Sequence, residues 1–120
     1  MATKTTVIVK LGVEGVHCFP KAAELFPKVA FLADEHRHIF YVTAAKKVNH
    51  DDRDVEFILF KRDIANYLHH TYYSEAKGLL QFHSKSCEMI AKELLVKFEC
   101  EWVEVWEDNE NGARVEWEKR

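Results

Sequence analysis

The chain has 120 residues, which supports one compact domain and leaves no room for two. An apolar fraction of 48% with a charged fraction of 31% is globular composition and excludes disorder, and a formal net charge of −3 offers no electrostatic capture of nucleic acid. Three cysteines without a close pair (Cys18, Cys87 and Cys100) fit a reduced, cytoplasmic protein; the polar start Met1–Thr6 and the lack of any apolar run near ~18 residues predict neither a secretion signal nor a membrane span.

The first periodic stretch is Val7, Val9, Leu11 and Val13, apolar at every second position with Lys10 and Glu14 between them. This predicts a half-buried strand that extends to His17 or Phe19 past an irregularity at Gly15 and stops at Pro20. Lys21 to Asp34 reads as a loop with a short helical turn around Ala22 to Leu25. A second strand is expected from about His36 to Val48, on the β-formers Ile39-Phe40-Tyr41-Val42-Thr43. After the polar loop Asn49–Asp54, Val55–Phe60 reads as a short extended run. It leads into a helix whose stripe is Phe60, Ile64, Tyr67, Leu68 and Tyr72, at spacings of three and four. Ser74 to His83, with Gly78, reads as a second loop.

Ser84 or Ser86 then caps a second helix with the face Cys87, Ile90, Ala91, Leu94 and Phe98, and Glu88 in its first turn. The chain closes with a hairpin: Glu101–Trp106, a turn through Asn109-Glu110-Asn111-Gly112, and Ala113–Trp117. Strands at both ends with two helices between them define an α+β domain, here a four-stranded antiparallel sheet with two helices on one face. Such a sheet leaves open edges, which favour an oligomer.

Seven histidines are the unusual feature of the composition. His36 and His38, spaced i, i+2 at the start of a strand, project from one face. His17 ends the strand expected to pair antiparallel with theirs. Three imidazoles converging from two paired strands would build an open metal site, whereas separate histidines at the core rim would carry no metal. Glu107 shares parity with Val103 and Val105, opposite to Trp102, Glu104 and Trp106. A carboxylate on the buried face needs donors, which the amide–amidine edge of a pterin or purine supplies; a strand-end Glu reaching solvent needs none. His69 and His70 suit the C-terminal end of the first helix, and Cys87 suits packing. Arg37 points to the other strand face, and Arg53 and Arg114 lie in or near loops.

These pieces, in this order, resemble the 6-pyruvoyltetrahydropterin synthase and 6-carboxytetrahydropterin synthase family, which has the T-fold. The matching motifs are His17, His36-Arg37-His38-Ile39-Phe40-Tyr41-Val42, Glu56-Phe57, Ser86-Cys87-Glu88-Met89-Ile90-Ala91 and Val103-Glu104-Val105-Trp106-Glu107, spanning about Val7 to Val115. The resemblance implies zinc held by His17, His36 and His38, a pterin anchored by Glu107, and a homohexamer built from trimers. The chain departs from the family pattern in three places: Arg37 stands for the usual Gly, Leu32 for the catalytic Cys, and Tyr72-Tyr73 for an Asp-His pair. Leu32 cannot supply a thiolate. Cys18 with His69 or His70 is the one relocated dyad the sequence offers.

Three readings follow. The first is a zinc-dependent, pterin-converting, lyase-like enzyme whose catalytic residues are unassigned. The second is a non-catalytic protein that keeps the pocket to sense or sequester a purine-type nucleotide. The third is a structural subunit whose histidines only pack.

Overall fold

The computed structural model describes residues 1–119. Strands β1 (Thr6–His17) and β2 (His36–Lys47) form a long antiparallel pair. Between them lie α1 (Ala22–Leu25) and a 3₁₀ segment, Pro27–Ala33. Helix α2 (Phe57–Tyr72) is followed by the short strands β3 (Tyr73–Ser74) and β4 (Leu79–Gln81), then by helix α3 (Cys87–Lys97) and the hairpin β5 (Trp102–Glu107) and β6 (Asn111–Glu116).

The fold is α+β, but the sheet is larger than the expected four antiparallel strands. It has six, in the order β3-β4-β1-β2-β5-β6, and is mixed because β4 runs parallel to β1. The two additional strands fall within Ser74–His83 and its flank, the stretch expected to be a loop. Each is only two or three residues long, too short for a period-2 pattern to register. A second correction concerns Val55–Phe60, which is not extended. Helix α2 begins at Phe57, and the Glu56 carboxylate accepts from the backbone N–H groups of Ile58 and Leu59 at 2.8 and 3.3 Å. Glu56 is thus an N-cap, and the apolar side chains Phe57, Ile58 and Leu59 are left exposed in the first turn of α2.

One core lies between the sheet and the two long helices. Val9 and Leu11 of β1, Phe40, Val42 and Ala44 of β2, and Val103 and Val105 of β5 supply its sheet side. Phe60, Ile64, Leu68 and Tyr72 of α2, with Cys87, Ile90, Ala91, Leu94 and Leu95 of α3, supply the helix side. The Ser86 hydroxyl caps α3 by accepting from Met89 N–H at 3.2 Å. A polar network joins the two helices within this layer. Glu93 accepts from the hydroxyls of Tyr67 and Tyr72 at 2.6 and 2.5 Å and from Lys85 Nζ at 2.5 Å. Burial pushes the Glu93 carboxyl up, but these bonds outweigh it and hold the group below its usual value.

The hairpin also differs in its turn. The bend is Asp108-Asn109-Glu110, so only the first half of the expected Asn109–Gly112 turn lies in it; Asn111 and Gly112 are already in β6, opposite Glu107 and Trp106. The left-handed residues are Asp108 and Asn109, types that tolerate that region. Gly112 serves contact instead: a Cβ there would lie 2.5 Å from the Val105 carbonyl oxygen and 2.7 Å from Trp106.

Gly15 has a similar role near the end of β1. A Cβ at that position would meet the fully buried ring of Phe82 at 2.7 Å and the Leu80 carbonyl oxygen at 3.2 Å. Because Phe82 is wedged between Phe40 and Tyr72, it has little room to yield. Gly15→Ala is therefore expected to destabilise the chain by about 1–3 kcal/mol, the usual cost of overpacking, read from the urea midpoint at unchanged slope.

Candidate metal centre

The β1–β2 register places His17 directly opposite His36 and Gly15 opposite His38. His36 and His38 share the face of Phe40 and Val42, and Glu107, paired with Phe40 across β2–β5, joins them from the other side. The three imidazoles therefore gather at the end of the sheet face that carries the core. Their ring centroids are 4.5 to 5.5 Å apart.

Each ring is fixed by its Nδ1. That of His17 lies 2.8 Å from the Lys85 carbonyl oxygen, and that of His36 2.8 Å from the Asp34 carbonyl oxygen. That of His38 lies 2.7 Å from Asp108 Oδ2. Carbonyl and carboxylate oxygens only accept, so each Nδ1 carries the proton and Nε2 is left as the free donor atom. One nitrogen from each ring lies within 4.8 Å of the other two, so the set can hold a metal ion. Outer-shell acceptors that set the tautomer and orient the ring accompany metal-ligating histidines.

The inner nitrogens have no good partner within the chain. His17 is buried and its Nε2 lies 2.9 Å from Glu107 Oε2; His38 Nε2 lies 3.6 Å from Glu107 Oε1. Neither approach makes a well-directed hydrogen bond, and both atoms are screened from solvent. Two buried ring nitrogens without a well-directed partner are costly in a purely structural cluster and are what a cation would satisfy. Burial pushes the His17 pKa down, but Glu107 and the Lys85 carbonyl outweigh it and raise it. The His17 contact holds the Glu107 carboxyl below its usual value, and the His38 bond does the same for Asp108.

The cluster opens on a cavity of about 780 Å³. His17, His36 and Glu107 form one side, the N-terminus of α3 with Ser86 and Cys87 another, and Cys18, Phe26 and Leu32 further wall. Cys87 is buried there, and burial together with the Glu107 carboxylate pushes its thiol up to about 12. It is a neutral thiol at physiological pH.

All four residues singled out from the sequence, His17, His36, His38 and Glu107, are thus brought together. Other candidates are not. His69 and His70 end α2 and do not line the cavity; His69 stacks on Tyr73 at 4.4 Å, so no dyad with Cys18 forms. Arg37 pairs with Glu14 on the other sheet face, Arg53 with Asp52, and Arg114 with Glu104 and Glu116. Asp108 is the residue that the sequence reading missed. Its carboxylate accepts from His38 and, at 2.9 Å, from Ile39 N–H, while its own N–H donates to the Ile39 carbonyl at 2.8 Å. The available signal was an acidic residue beside Glu107 at a turn, but its partner lies seventy residues away.

No protein-family model matches the chain, and no curated protein matches it. Among the described residues, no helix is long and apolar enough to cross a membrane.

The centre makes a direct prediction. His38→Ala is expected to abolish binding of cobalt(II), followed by its visible absorption, whereas His50→Ala leaves it unchanged. Asp108→Asn keeps the ligand but loses the anionic acceptor behind it, and affinity is expected to fall about 10–100-fold. An Asp108→Asn chain that binds cobalt(II) as well as the wild type contradicts the orienting role.

Proposed function

We propose that this chain is a zinc protein with a T-fold of the pyruvoyltetrahydropterin synthase type, whose cavity takes a planar nitrogen heterocycle of the pterin class. The observation that carries this reading is the convergence of three Nδ1-anchored imidazoles beside a cavity that also contains Glu107. Three imidazole donors with an open fourth position suit zinc. When bound, zinc supplies Lewis-acid polarisation of a carbonyl or hydroxyl oxygen on the ligand's side chain.

The chain's own residues bind and orient. Glu107 accepts two N–H donors from the amide–amidine edge of the ring. Phe19, Phe26 and Leu32 give the cavity an apolar wall for the faces of the ring. Leu32, where the family has its cysteine, lines this cavity without a thiol. Tyr72, in place of the family's acidic residue, directs its hydroxyl to Glu93. Those two observations favour a second reading, a binding protein that retains the pocket and performs no chemistry on a pterin or purine nucleotide. Turnover of a dihydropterin triphosphate distinguishes the enzyme from the binder.

Charge-assisted hydrogen bonds contribute about 1.5–3 kcal/mol each. Glu107→Gln faces one ring donor with another donor, so affinity for a pterin is expected to fall at least about tenfold by calorimetry. Glu104→Gln, on the other strand face, is expected to change little. If Glu107→Gln binds as the wild type does, the ring is anchored elsewhere.

Assembly is part of the same proposal. Strands β3 and β6 are the two edges of the sheet, and edge-to-edge joining of subunits would satisfy their free backbone groups. A hexamer of two trimeric rings, as the resemblance implies, is the expected state. Sedimentation at micromolar concentration checks it, and a stable monomer there contradicts it.

A further inference from the structure

Lys85 is held at both ends. Its carbonyl oxygen lies 2.8 Å from His17 Nδ1, while its ammonium donates to Glu93 Oε1 and to the Tyr72 hydroxyl, each at 2.5 Å. Glu93 sits in the middle of α3, and its other oxygen accepts from Tyr67 of α2 at 2.6 Å, so both helices fix this carboxylate. The first half of the loop between β4 and α3 is laid along β1. Phe82 N–H donates to the Val16 carbonyl at 2.9 Å, and Cys18 N–H to the His83 carbonyl at 2.8 Å. The loop then turns at His83, whose φ of 55° is uncommon for a residue with a side chain. Lys85 N–H closes that turn on the Phe82 carbonyl at 3.1 Å. A strained turn persists where its surroundings over-determine it. Here the Ser86 cap of α3 and the grip of Glu93 on Lys85 secure the far end.

We propose that Glu93 is a positioning residue of the metal centre: by gripping the Lys85 ammonium it holds the Lys85 carbonyl where that oxygen aims the His17 ring, so a carboxylate outside the donor set tunes affinity for the ion. The proposal rests on the metal-centre reading above. A ring that is already aimed loses less freedom when an ion binds, which is what an outer-shell acceptor contributes. The influence of Glu93 passes through a side chain and a peptide group. It is therefore weaker than that of Asp108, which bonds its ring directly. It is also confined to one ligand, because His36 is held by the Asp34 carbonyl and His38 by Asp108. A network that served helix packing alone would lower stability and metal affinity together, or stability only.

The test measures cobalt(II) affinity and the urea midpoint side by side on the full-length chain. Lys85→Met keeps the carbonyl and the apolar stem but loses the ammonium, and Glu93→Gln loses the charge that grips it. In each, cobalt(II) affinity is expected to fall about three- to tenfold, below the roughly 10–100-fold of a directly bonded outer-shell partner. The double variant is expected to bind no more weakly than the weaker single one, because both changes cut the same connection. Tyr67→Phe is the structural control. It removes a bond from the other oxygen of Glu93 and leaves Lys85 gripped, so the urea midpoint is expected to fall with cobalt(II) affinity unchanged. Wild-type affinity in Lys85→Met and Glu93→Gln overturns the proposal. So does a Tyr67→Phe chain that loses as much affinity as they do for the same loss of stability. A wild-type chain that binds no cobalt(II) removes the metal reading, and positioning is then decided on the metal-free chain. There, the effects of His17→Ala and of Lys85→Met on the unfolding constant are expected to depart from additivity by a factor of about two or more. Glu93→Gln replaces Lys85→Met in this cycle if the latter does not fold. Additive effects overturn the link between Lys85 and the His17 ring, whether or not cobalt(II) binds.

Discussion

The site depends on the register of two strands. β1 and β2 pair over their whole length from Thr6↔Lys47 to His17↔His36, and the last rungs of that ladder are where the imidazoles stand. Side chains alternate between sheet faces, so a slip of one residue would send His36 and His38 to the side of Arg37 and Tyr41. The register is held by burial: Val9, Leu11, Phe40, Val42 and Ala44 must all face the helices, and the histidines lie on the same side as a consequence. Gly15 opposite His38 completes the arrangement, since its missing side chain admits the Phe82 ring that closes the core beneath the cluster.

Around this ladder, three segments each supply an acceptor to one ring, one of them local and two remote in the chain. The loop before β2 offers the Asp34 carbonyl, the loop before α3 the Lys85 carbonyl, and the β5–β6 turn the Asp108 carboxylate. The Lys85 loop is itself tied down. The Lys85 ammonium bonds Glu93 and the Tyr72 hydroxyl, which couples the orientation of His17 to the packing of α2 on α3. Asp108 does comparable work at the hairpin, extending the pairing of β5 with β2 through the backbone of Ile39 while holding His38. The cluster is therefore preorganised by acceptors from two loops and a turn, the condition under which three imidazoles can wait for a cation.

The cavity wall separates holding from reacting. The groups that would grip an ion and a ring, His17, His36, His38 and Glu107, are gathered at one end. Two thiols, Cys18 and Cys87, line the cavity, and Leu32 stands in the same wall. Cys87 is kept protonated by burial beside a carboxylate, so its chemistry at neutral pH is that of a weak donor. This distribution is why the binding role and the catalytic role are separate questions for this chain.

Much of this was legible in the sequence because it follows from periodicity. Alternation in Val7–Val13 and in Val103–Glu107 assigned faces, the i, i+4 stripe of α2 assigned its core side, and parity put His36, His38 and Glu107 on the buried face. Local chemistry was less reliable where one signal has two meanings. Val55–Phe60 carries β-forming residues, but the Glu56 cap starts a helix within it, and Asn111-Gly112 marks a close approach to Trp106 and not a bend. Strands β3 and β4 are too short to leave a pattern and exist because β1 offers its free edge to Leu80 and Gln81. What the sequence alone determined is which side chains lie on which face, because that depends on neighbours two to four residues apart. Only the tertiary structure decided that Lys85, Asp34 and Asp108 hold the rings and that Glu107 rests against two of them. Except for Asp34, two residues before His36, those contacts join residues far apart in the chain, and no local periodicity encodes which distant carbonyl or carboxylate will meet a given nitrogen.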